Sequence, residues 1–379
     1  MQGCYIYGAG ERGLLLKERL SKTPIKVIGY IDGAKEKIGK TISGAPCFSL
    51  DEAVQNKKSE VIFISPFNDE GIKELLSPYF EVVFDKRMTG MVLAVLSGLD
   101  YDFFYPIGHF YSQYPKIKDV EATKDKATSA DLEEVLSIDF NMDTQLKTFD
   151  KMRGVYNKIP DWINIESDEP SAYRYRYGNP SLSNADAIGL FSMLSILSPQ
   201  KIIEVGSGYT SAIMLDYNEK CLGGGVSIRF IEPYADRLRS ILKPEDNIQI
   251  TEKPLQEVSL DVFSTLKAGD VLFIDSTHVS KYGSDVNYLF FEIFPRLNSG
   301  VVVHLHDIFY PFEYPHAWIK TGMVWNEDYL LRAFLQYNQG FEILFFQNYL
   351  EKAYRELFVK NWPLANKNVH GGSFWMRKK

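Results

Sequence analysis

The stretch KIIEVGSGYTSAIML, residues 201–215, decides the fold class of the second half of the chain. Its pattern predicts a buried strand, a tight glycine turn and then a helix. Gly206 and Gly208 permit positive φ and let a ligand approach the backbone closely. The helix that follows offers free N–H groups to an anionic group. The turn is therefore a candidate nucleotide site, and a plain strand-to-helix connection is the alternative.

Strand and helix patterns alternate strictly from this stretch onward. Five short apolar segments of strand type follow one another, and two more lie near the end of the chain. These segments are KIIEVG, VSIRFIE, NIQITE, DVLFID, GVVVHLHD, FEILFFQ and GGSFWMRK. Strands that alternate with helices imply a parallel sheet covered on both faces. The second half of the chain is therefore predicted to be a seven-stranded α/β domain.

Acidic residues stand at the ends of several of these predicted strands. Glu232 ends the second strand, 28 residues after Glu204, and an acidic side chain there suits bonding to ribose hydroxyls. Asp275 ends the fourth strand and Asp307 the fifth. Ligands of open α/β sheets bind outside the carboxyl ends of the strands. These side chains are therefore expected to converge on one crevice.

The motifs EVGSG, IEP and FID together resemble those of class I S-adenosylmethionine-dependent methyltransferases. The longer run from DVLFIDSTH to HLHDIFYPFEYP is similar to a bacterial branch of these enzymes, and the resemblance covers residues 107–379. The fold's antiparallel last strand matches GGSFWMRK. One departure is Thr210, which stands where the family's commonest glycine motif has a third glycine.

The resemblance implies a cofactor, S-adenosylmethionine, and a set of residues that bind it. The glycine turn would frame the methionine part, Glu232 would hold the ribose, and Gln256 would border the adenine. The implied cofactor-binding residues are Glu204, Gly206, Ser207, Gly208, Glu232 and Asp275.

A hydroxyl acceptor must lose its proton, and three interpretations of the nearby residues compete. His278 could be the general base, oriented by Asp275 or Asp307. Alternatively, Asp275 and Asp307 with a histidine could bind Mg²⁺ or another divalent ion. In the third interpretation the histidines are packing residues, and this is favoured for His304. The catalytic candidates are accordingly His278, His306 and Asp307.

The cluster YRYRYGN, residues 173–179, alternates tyrosine and arginine. It could form a lid in which Tyr175 and Arg176 contact the substrate, with Arg176 meeting a phosphate or carboxylate. An exposed strand with cation–π contacts is an equal alternative. The aromatic run FYPFEYP after Asp307 could stack on a sugar ring or pack a loop.

A second glycine turn, GAGERG, lies near the start of the chain. Gly8, Gly10 and Gly13 fit the GxGxxG pattern, and Asp32 follows 24 residues after Gly8. The block of strands and helices around it is only about 86 residues long and lacks a nicotinamide-binding half.

This first block resembles the N-terminal domain of PglD-type sugar N-acetyltransferases. The residues that carry the resemblance are YIYGAGERG, VIGYIDG and GKTISGAPCFSLDEA. In that family the domain holds the nucleotide-sugar substrate, which implies that Gly8, Gly10, Gly13 and Asp32 contact a nucleotide. The alternative is a spacer that binds nothing.

The sequence predicts three parts: a Rossmann-like domain over 1–86, a partly helical connecting or lid segment over 87–180, and the methyltransferase domain over 181–379. A net charge of −7 and a pI near 5.5 argue against a nucleic-acid partner. The start lacks a signal-peptide pattern and no apolar run reaches membrane-span length, so a cytoplasmic protein is expected. Whether the chain forms a homo-oligomer is open.

The functional prediction is O-methylation, dependent on S-adenosylmethionine, of a small molecule, a sugar or a nucleotide-linked sugar, in surface-glycan biosynthesis. One alternative is an NAD(P)-dependent sugar-nucleotide oxidoreductase that uses the first glycine turn. That enzyme would need a Tyr-x-x-x-Lys pair near residues 120–160, and the sequence has none between residues 120 and 160. A non-catalytic binding module is the other alternative.

Overall fold

A computed structural model describes residues 3–66, 71–84, 89, 110–122, 135–246, 248–362 and 371–379. The chain divides into two compact units, residues 1–116 and 117–379. This division places one boundary inside the predicted connecting segment, so the three-part division stays a prediction. In the parts of the chain that the structure describes, the helices are too short or too polar to cross a membrane.

The first unit is a six-stranded sheet in the order β3-β4-β2-β1-β5-β6, parallel except for the pair β3–β4. Its strands are β1 (Gly3–Tyr7), β2 (Lys26–Ile31), β3 (Thr41–Ile42), β4 (Ala45–Phe48), β5 (Val61–Ile64) and β6 (Val82–Phe84). Its helices are α1 (Glu11–Ser21), α2 (Leu50–Gln55) and α3 (Ile72–Leu76). The predicted Rossmann-like alternation is confirmed for this unit.

The second unit contains the predicted seven strands in the order β12-β13-β11-β10-β7-β8-β9. They are β7 (Lys201–Val205), β8 (Ser227–Ile231), β9 (Ile248–Thr251), β10 (Val271–Ile274), β11 (Val302–Leu305), β12 (Phe341–Phe346) and β13 (Phe374–Lys378). The last strand, β13, runs antiparallel to both of its neighbours, as predicted.

Helices cover both faces of this second sheet. The longer ones are α5 (Met142–Gly154), α6 (Asn184–Leu197), α7 (Tyr209–Leu222) and α13 (Glu327–Leu335). The shorter ones are α4 (Ile117–Ala122), α8 (Asp236–Ile241), α9 (Asp261–Ser264), α10 (Asp285–Tyr288), α11 (Phe294–Arg296), α12 (His316–Lys320), α14 (Gln347–Ala353) and α15 (Arg355–Asn361). A π-helical turn, Leu289–Ile293, joins α10 to α11. Two 3₁₀ turns are Tyr156–Lys158 and Leu255–Glu257.

Alternate residues of the central strands enter two separate cores, one on each face of the sheet. On β10, Val271 and Phe273 join the core under α6 and α7, whereas Leu272 and Ile274 join the core on the opposite face. A strand that is buried on both faces has a continuous run of apolar residues. This is why such segments could be predicted as strands from the sequence.

The carboxyl ends of β7, β10 and β11 lie side by side. The backbone N–H of Asp275 donates to Val205 at 2.9 Å, and that of His306 donates to Ile274 at 2.9 Å. The sheet ladder therefore carries on past the strand ends and brings Gly206, Asp275 and His306 to one edge.

Candidate functional site

The glycine turn after β7 is shaped by Glu204, which is fully buried beneath it. Its carboxylate accepts hydrogen bonds from the Thr210 hydroxyl at 2.6 Å and the Ser211 hydroxyl at 2.7 Å. Burial raises the pKa of Glu204 to about 8, although these two hydrogen bonds partly oppose the shift. Thr210, the departure from the glycine motif, thus serves as a hydrogen-bond donor to the buried carboxyl.

Gly206 is required at this turn for two reasons. Its φ is +87°, in the region that favours glycine. A Cβ at this position would lie 1.8 Å from the carbonyl oxygen of Asp275. Backbone therefore packs on backbone where β7 and β10 end.

A cavity of about 410 Å³ opens beside this turn. Its walls include Gly206, Glu232, Gln256 and Asp275. The Glu232 carboxylate accepts hydrogen bonds from the Ser207 hydroxyl at 3.2 Å and from the backbone N–H of Tyr234 at 2.8 Å. Three predicted cofactor-binding residues, together with Gln256, thus face one hollow.

The other three predicted cofactor residues, Glu204, Ser207 and Gly208, lie in or beneath the turn and are not among the residues that line the cavity. Glu204 is beneath the turn, Ser207 bonds Glu232, and the N–H of Gly208 donates to the Ser211 hydroxyl at 3.0 Å. Contact of all six residues with a cofactor stays a prediction.

Asp275, His278, His306 and Asp307, which we call the His–Asp cluster, meet where β10 and β11 end. His278 Nε2 lies 3.4 Å from Asp275 Oδ1 and 3.8 Å from Asp307 Oδ2. His306 Nδ1 lies 3.7 Å from Asp275 Oδ1 and 3.4 Å from Asp307 Oδ1. Each carboxylate therefore faces both imidazoles, and Asp275 also lines the cavity.

Each histidine of the cluster has a further buried carboxylate behind it. His278 Nδ1 lies 2.9 Å from Glu327 Oε2, at hydrogen-bond distance, and His306 Nε2 lies 3.7 Å from Asp186 Oδ2. Both of these carboxylates are almost completely buried. Glu327 and Asp186 were not predicted from the sequence, because they lie on distant helices, α13 and α6, and no spacing links them to the strand ends.

The backbone of the cluster is strained at two positions. His278 has φ of +58° and Asp307 has φ of +57°, in the left-handed region that non-glycine residues rarely adopt. The His278 carbonyl accepts from the N–H groups of Asn326 and Glu327, both at 3.2 Å. The Asn326 side chain also bonds the backbone of Ser280 on both sides. These contacts hold the loop in its unfavourable conformation, which is typical of functional sites.

The charges of the cluster change the pKa values of its members. Burial alone would lower the pKa of His278, but the carboxylates of Asp275 and Glu327 outweigh it and raise the value to about 10. Burial would likewise lower the pKa of His306, but Asp307 and Asp275 hold it well above the usual value. Burial would raise the pKa of Asp275, yet the two histidines keep it well below its usual range. The carboxylates therefore stabilise the protonated form of both imidazoles, and the imidazoles stabilise the ionised form of Asp275.

His304 fits the packing interpretation. It is completely buried, its ring stacks on Phe273 with centroids 3.8 Å apart, and Trp375 meets it edge-on at 4.5 Å. Burial lowers its pKa well below the usual value, so the ring is neutral. Its ring centroid lies 5.9 Å from that of His306.

The segment 173–179 differs from both interpretations offered for it. Tyr175 is fully buried and packs on Trp162 at 4.7 Å, so neither a lid nor an exposed strand describes it. Arg176 donates to the carbonyl oxygens of Ser167 and Glu169. The neighbouring Arg174 has a buried side chain that forms ion pairs with Asp216, Glu219 and Asp246. Contact of Tyr175 and Arg176 with a substrate stays a prediction.

The aromatic run after Asp307 mainly packs the fold, since Phe309, Tyr310, Phe312 and Tyr314 are all buried. Two half-buried rings that were not predicted from the sequence, those of Trp325 and Trp318, lie on the His278 side of the cluster. Trp325 lies 4.4 Å from the His278 ring, and Trp318 lies 5.3 Å from Trp325. These two indoles form an aromatic wall beside the cluster.

The glycine turn of the first unit is held by its own acidic residue. Asp32 accepts hydrogen bonds from the N–H groups of Ala9 at 2.7 Å and Ala34 at 2.9 Å, and pairs with Lys37 at 3.1 Å. Gly13 allows close packing, since a Cβ there would lie 2.0 Å from the Gly8 carbonyl oxygen. Gly8 and Gly10 complete the turn before α1, and nucleotide contact by these residues stays a prediction.

Comparison with known families defines the class of the second unit. Residues 203–308 match the sequence model of a family described as a methyltransferase domain, which includes the glycine turn and the His–Asp cluster. The prediction of a methyltransferase is confirmed. The chain is also 33% identical over 165 residues to an uncharacterised protein of Archaeoglobus fulgidus, across 43% of this chain and 74% of that protein. The chain belongs to the same family as this archaeal protein.

Solved structures with similar folds include several methyltransferases. The methyltransferase FkbM of Methylobacillus flagellatus is 10% identical, with a TM-score of 0.36 over 90% of this chain and 85% of that one. An O-methyltransferase of Bacillus cereus in complex with SAH is 14% identical, with a TM-score of 0.33 over 70% of this chain and 100% of that one. TomG of Streptomyces achromogenes in complex with SAM is 12% identical, with a TM-score of 0.33 over 70% and 99%. The strand order of the second sheet confirms the predicted class I fold.

Proposed function

We propose that the second unit transfers a methyl group from S-adenosylmethionine to a hydroxyl group of a small molecule. The observation that carries this proposal is the position of Asp275, which lines the cavity beside the glycine turn and also belongs to the His–Asp cluster. A cofactor in the cavity would therefore have its methyl group close to the groups that take up a proton.

The cofactor occupies the cavity between the glycine turn and the loop after β10. The Glu232 carboxylate keeps free lone pairs beside its two protein donors and accepts hydrogen bonds from the ribose hydroxyls. Gln256 borders the adenine. Glu204, Ser207 and Gly208 fix the turn against which the methionine part lies, and Gly206 lets it approach the backbone.

The reaction forms an O–CH₃ bond while the S–CH₃ bond of the sulfonium breaks. The electron pair of the broken bond stays on sulfur and yields S-adenosylhomocysteine, and the hydroxyl proton passes to the His–Asp cluster. The cofactor is already a strong donor, so the protein contributes in-line alignment and removal of the proton. Asp307 takes up the proton directly; His278 and His306, whose pKa values are raised, would orient and balance the charge of the two aspartates, or would act as ligands of a divalent ion held with Asp275.

The acceptor is a sugar, carried on a nucleotide, for surface-glycan biosynthesis. Two observations support this finer proposal. The indoles of Trp318 and Trp325 offer flat apolar faces beside the cluster, of the kind on which a sugar ring stacks. The glycine turn of the first unit, with Gly8, Gly10, Gly13 and Asp32, has the residue pattern of a nucleotide-sugar-binding domain.

The test is thermal unfolding of the full chain with and without S-adenosylhomocysteine. Ligand at about 100 times its dissociation constant stabilises the protein by about 2.7 kcal/mol, so a raised Tm is expected. Glu232→Gln should reduce the shift, while Glu245→Gln, an exposed glutamate of the same unit, serves as the control and should not. An unchanged Tm at saturating ligand would reject the proposal. A shift with NADH but none with S-adenosylhomocysteine would favour the oxidoreductase.

A further inference from the structure

We propose that a cavity beside the first turn of α6 binds the ring of a neutral sugar. The cavity has a volume of about 370 Å³, and its walls come from residues 156–162, from Tyr175 and Tyr177, and from α6. Sites for small molecules usually have volumes of about 300–1,000 Å³. Binding of the sugar requires no methyl donor, so this inference goes beyond the proposed methyl transfer and can fail or succeed separately from it.

The cavity lies on a different face of α6 from the His–Asp cluster. Asn184 and Ile188, one helical turn apart, both line the cavity. Asp186, which lies behind His306, is about 200° around the helix axis from Asn184. The described residues that line the cavity all precede residues 203–308, the part of the chain that matches the methyltransferase family. The cavity is therefore separate from the site described above.

The buried part of the cavity wall is aromatic and apolar. Trp162 and Tyr175 are almost completely buried, and their rings pack edge to face with centroids 4.7 Å apart. Ile188 is buried beside them, and Tyr156 and Tyr177 are half-buried at the rim. Tyrosine and tryptophan combine a large apolar ring with one polar atom. Such a wall suits a sugar ring, which has apolar C–H faces and hydroxyl groups at its edge.

Three buried polar atoms of this wall have no hydrogen-bond partner among the described residues. They are the Trp162 indole nitrogen, the Tyr175 hydroxyl oxygen and the Asn184 side-chain carbonyl oxygen. The three residues are only 9%, 0% and 6% exposed. Buried polar groups are normally paired, so three unpaired ones around one cavity indicate that a ligand supplies their partners. Because these atoms are covered in the free chain, small side-chain rotations must accompany binding.

The types of polar group favour a ligand with several hydroxyl groups. The indole N–H can only donate, the amide oxygen can only accept, and the tyrosine hydroxyl can do both. A hydroxyl group of a sugar also donates and accepts, so one kind of ligand group can pair with all three. The exposed rim residues Asn157 and Asp161 offer further polar partners. A sugar with several hydroxyls therefore fits the cavity better than a phenol with one.

The charge of the wall disfavours an anionic ligand. Among the described residues that line the cavity, none is lysine, arginine or histidine, and Asp161 adds a negative charge at the rim. Phosphate and carboxylate groups form their strong hydrogen bonds with basic side chains. The cavity is therefore expected to take a neutral sugar in preference to a sugar phosphate, a sugar acid or a nucleotide.

The test is saturation-transfer NMR of the full chain with glucose, galactose, mannose, rhamnose, fucose and N-acetylglucosamine in turn, without any methyl donor. At least one of these sugars should bind with a dissociation constant of about 1 mM or lower. Glucose 1-phosphate and glucuronate should bind at least about tenfold more weakly than the best neutral sugar. Absence of binding by all six sugars would mean that water alone occupies the cavity and would overturn the proposal. Phenol binding more tightly than the best sugar would overturn it as well.

Two variants separate loss of the site from loss of the fold. Asn184→Ala removes an unpaired acceptor, so its Tm should be unchanged or raised, and Trp162→Phe keeps an aromatic ring and loses only the indole N–H and some packing. Each should weaken binding of the best sugar by about tenfold or more. The matched control is Asn361→Ala on α15, a partly exposed asparagine that donates one hydrogen bond to the Leu357 carbonyl. Equal sugar affinities for Asn184→Ala and this control would contradict the proposal.

A third variant, Trp325→Ala, distinguishes the cavity from the aromatic wall beside the His–Asp cluster. Sugar binding that is lost in Trp162→Phe and kept in Trp325→Ala would support the cavity. The reverse result would overturn this inference and support the acceptor site of the proposed methyl transfer. Loss of sugar binding in Trp162→Phe by a chain whose Tm is unaffected by S-adenosylhomocysteine would keep the cavity and reject the methyltransferase.

Discussion

The two glycine turns of the chain have the same local pattern and different surroundings. In each, a strand ends at a glycine with positive φ and a helix follows, and the next strand ends in an acidic residue. In the first unit that residue, Asp32, is engaged by two backbone N–H groups and by Lys37. In the second unit, Glu232 faces a cavity of about 410 Å³. The residues that surround a glycine turn, rather than the glycines themselves, therefore indicate what the turn can bind.

Replacement of Asp307 by Asn should have the largest effect, because it removes a charge from the His–Asp cluster, which has no counterpart among the described residues around the first turn. Methyl transfer should fall by about 10²–10⁴-fold, the range typical for loss of proton removal. The measurement is turnover with S-adenosylmethionine, alongside the Tm shift with S-adenosylhomocysteine, which should persist. The control is Asp143→Asn on the surface of α5. Turnover equal to that of the control would remove Asp307 from the mechanism.

Alanine substitution at the two turns tests whether the glycines are structural in both. Gly206→Ala and Gly13→Ala each place a Cβ within about 2 Å of a carbonyl oxygen. Each should lower the free energy of unfolding of its own unit by about 3 kcal/mol or more.

Gly206→Ala alone should also abolish the Tm shift with S-adenosylhomocysteine. Gly223→Ala is the matched control, since its φ is +60° and its Cβ would meet nothing within 4 Å. It should cost only about 1 kcal/mol, the backbone part of the effect. If Gly13→Ala abolished the cofactor shift as well, the division of roles between the turns would be wrong.

Buried Glu204 and partly exposed Asp32 should make the stability of the chain depend on pH in opposite directions. The pKa of Glu204 is raised to about 8, so the folded chain keeps a proton that the unfolded chain loses above its own pKa of about 4.5. The contribution of Glu204 to the free energy of unfolding is therefore greatest below about pH 4.5. It falls by up to about 1.4 kcal/mol per pH unit as the pH rises towards 8.

Burial opposes ionisation of Asp32, but its hydrogen bonds to Ala9 and Ala34 and its pairing with Lys37 prevail and lower its pKa. The contribution of Asp32 to the stability of the first unit is present at neutral pH. It is lost as the pH falls below the usual pKa range of an aspartate. Urea unfolding of Glu204→Gln and Asp32→Asn between pH 3 and 8 checks both signs. A pH profile of Glu204→Gln parallel to that of the unsubstituted chain would contradict the assignment.

The smallest expected effect is on cofactor affinity, on replacement of the acidic residues that follow β2 and β8, namely Asp32 and Glu232. Glu232→Gln should weaken S-adenosylhomocysteine binding by about tenfold, because it removes a charged hydrogen-bond acceptor. Asp32→Asn should leave that affinity unchanged. Isothermal titration of both variants gives the comparison directly, and a loss of affinity in Asp32→Asn would mean that the first turn takes part in cofactor binding.

Local patterns in the sequence were sufficient to predict most of the fold. The strands of the second sheet are short and mostly apolar, and the central strands β10 and β11 are buried on both faces, so that the residues directly after them lie at one edge of the sheet. The convergence of Glu232, Asp275 and Asp307 could therefore be predicted from their place after a strand.

The remainder of the site depends on contacts that no spacing reveals. Glu327 lies 49 residues from His278, and Asp186 lies on a helix that precedes the whole sheet. The positive φ of His278 depends on contacts with Asn326. In the segment 173–179 the backbone is irregular, Arg174 is buried and Arg176 binds carbonyl groups. The alternation of tyrosine and arginine in the sequence therefore did not predict which side chains are exposed.

The contact between Gly206 and the Asp275 carbonyl has a consequence for how the sequence can change during evolution. This main-chain contact fixes how far the cavity beside Gly206 lies from the end of β10. In the proposed methyl transfer, loops around the acceptor could then change in sequence or length without altering the spacing between the methyl donor and Asp275. Under that proposal, new acceptors would arise by substitution in those loops while the alignment of the donor is retained.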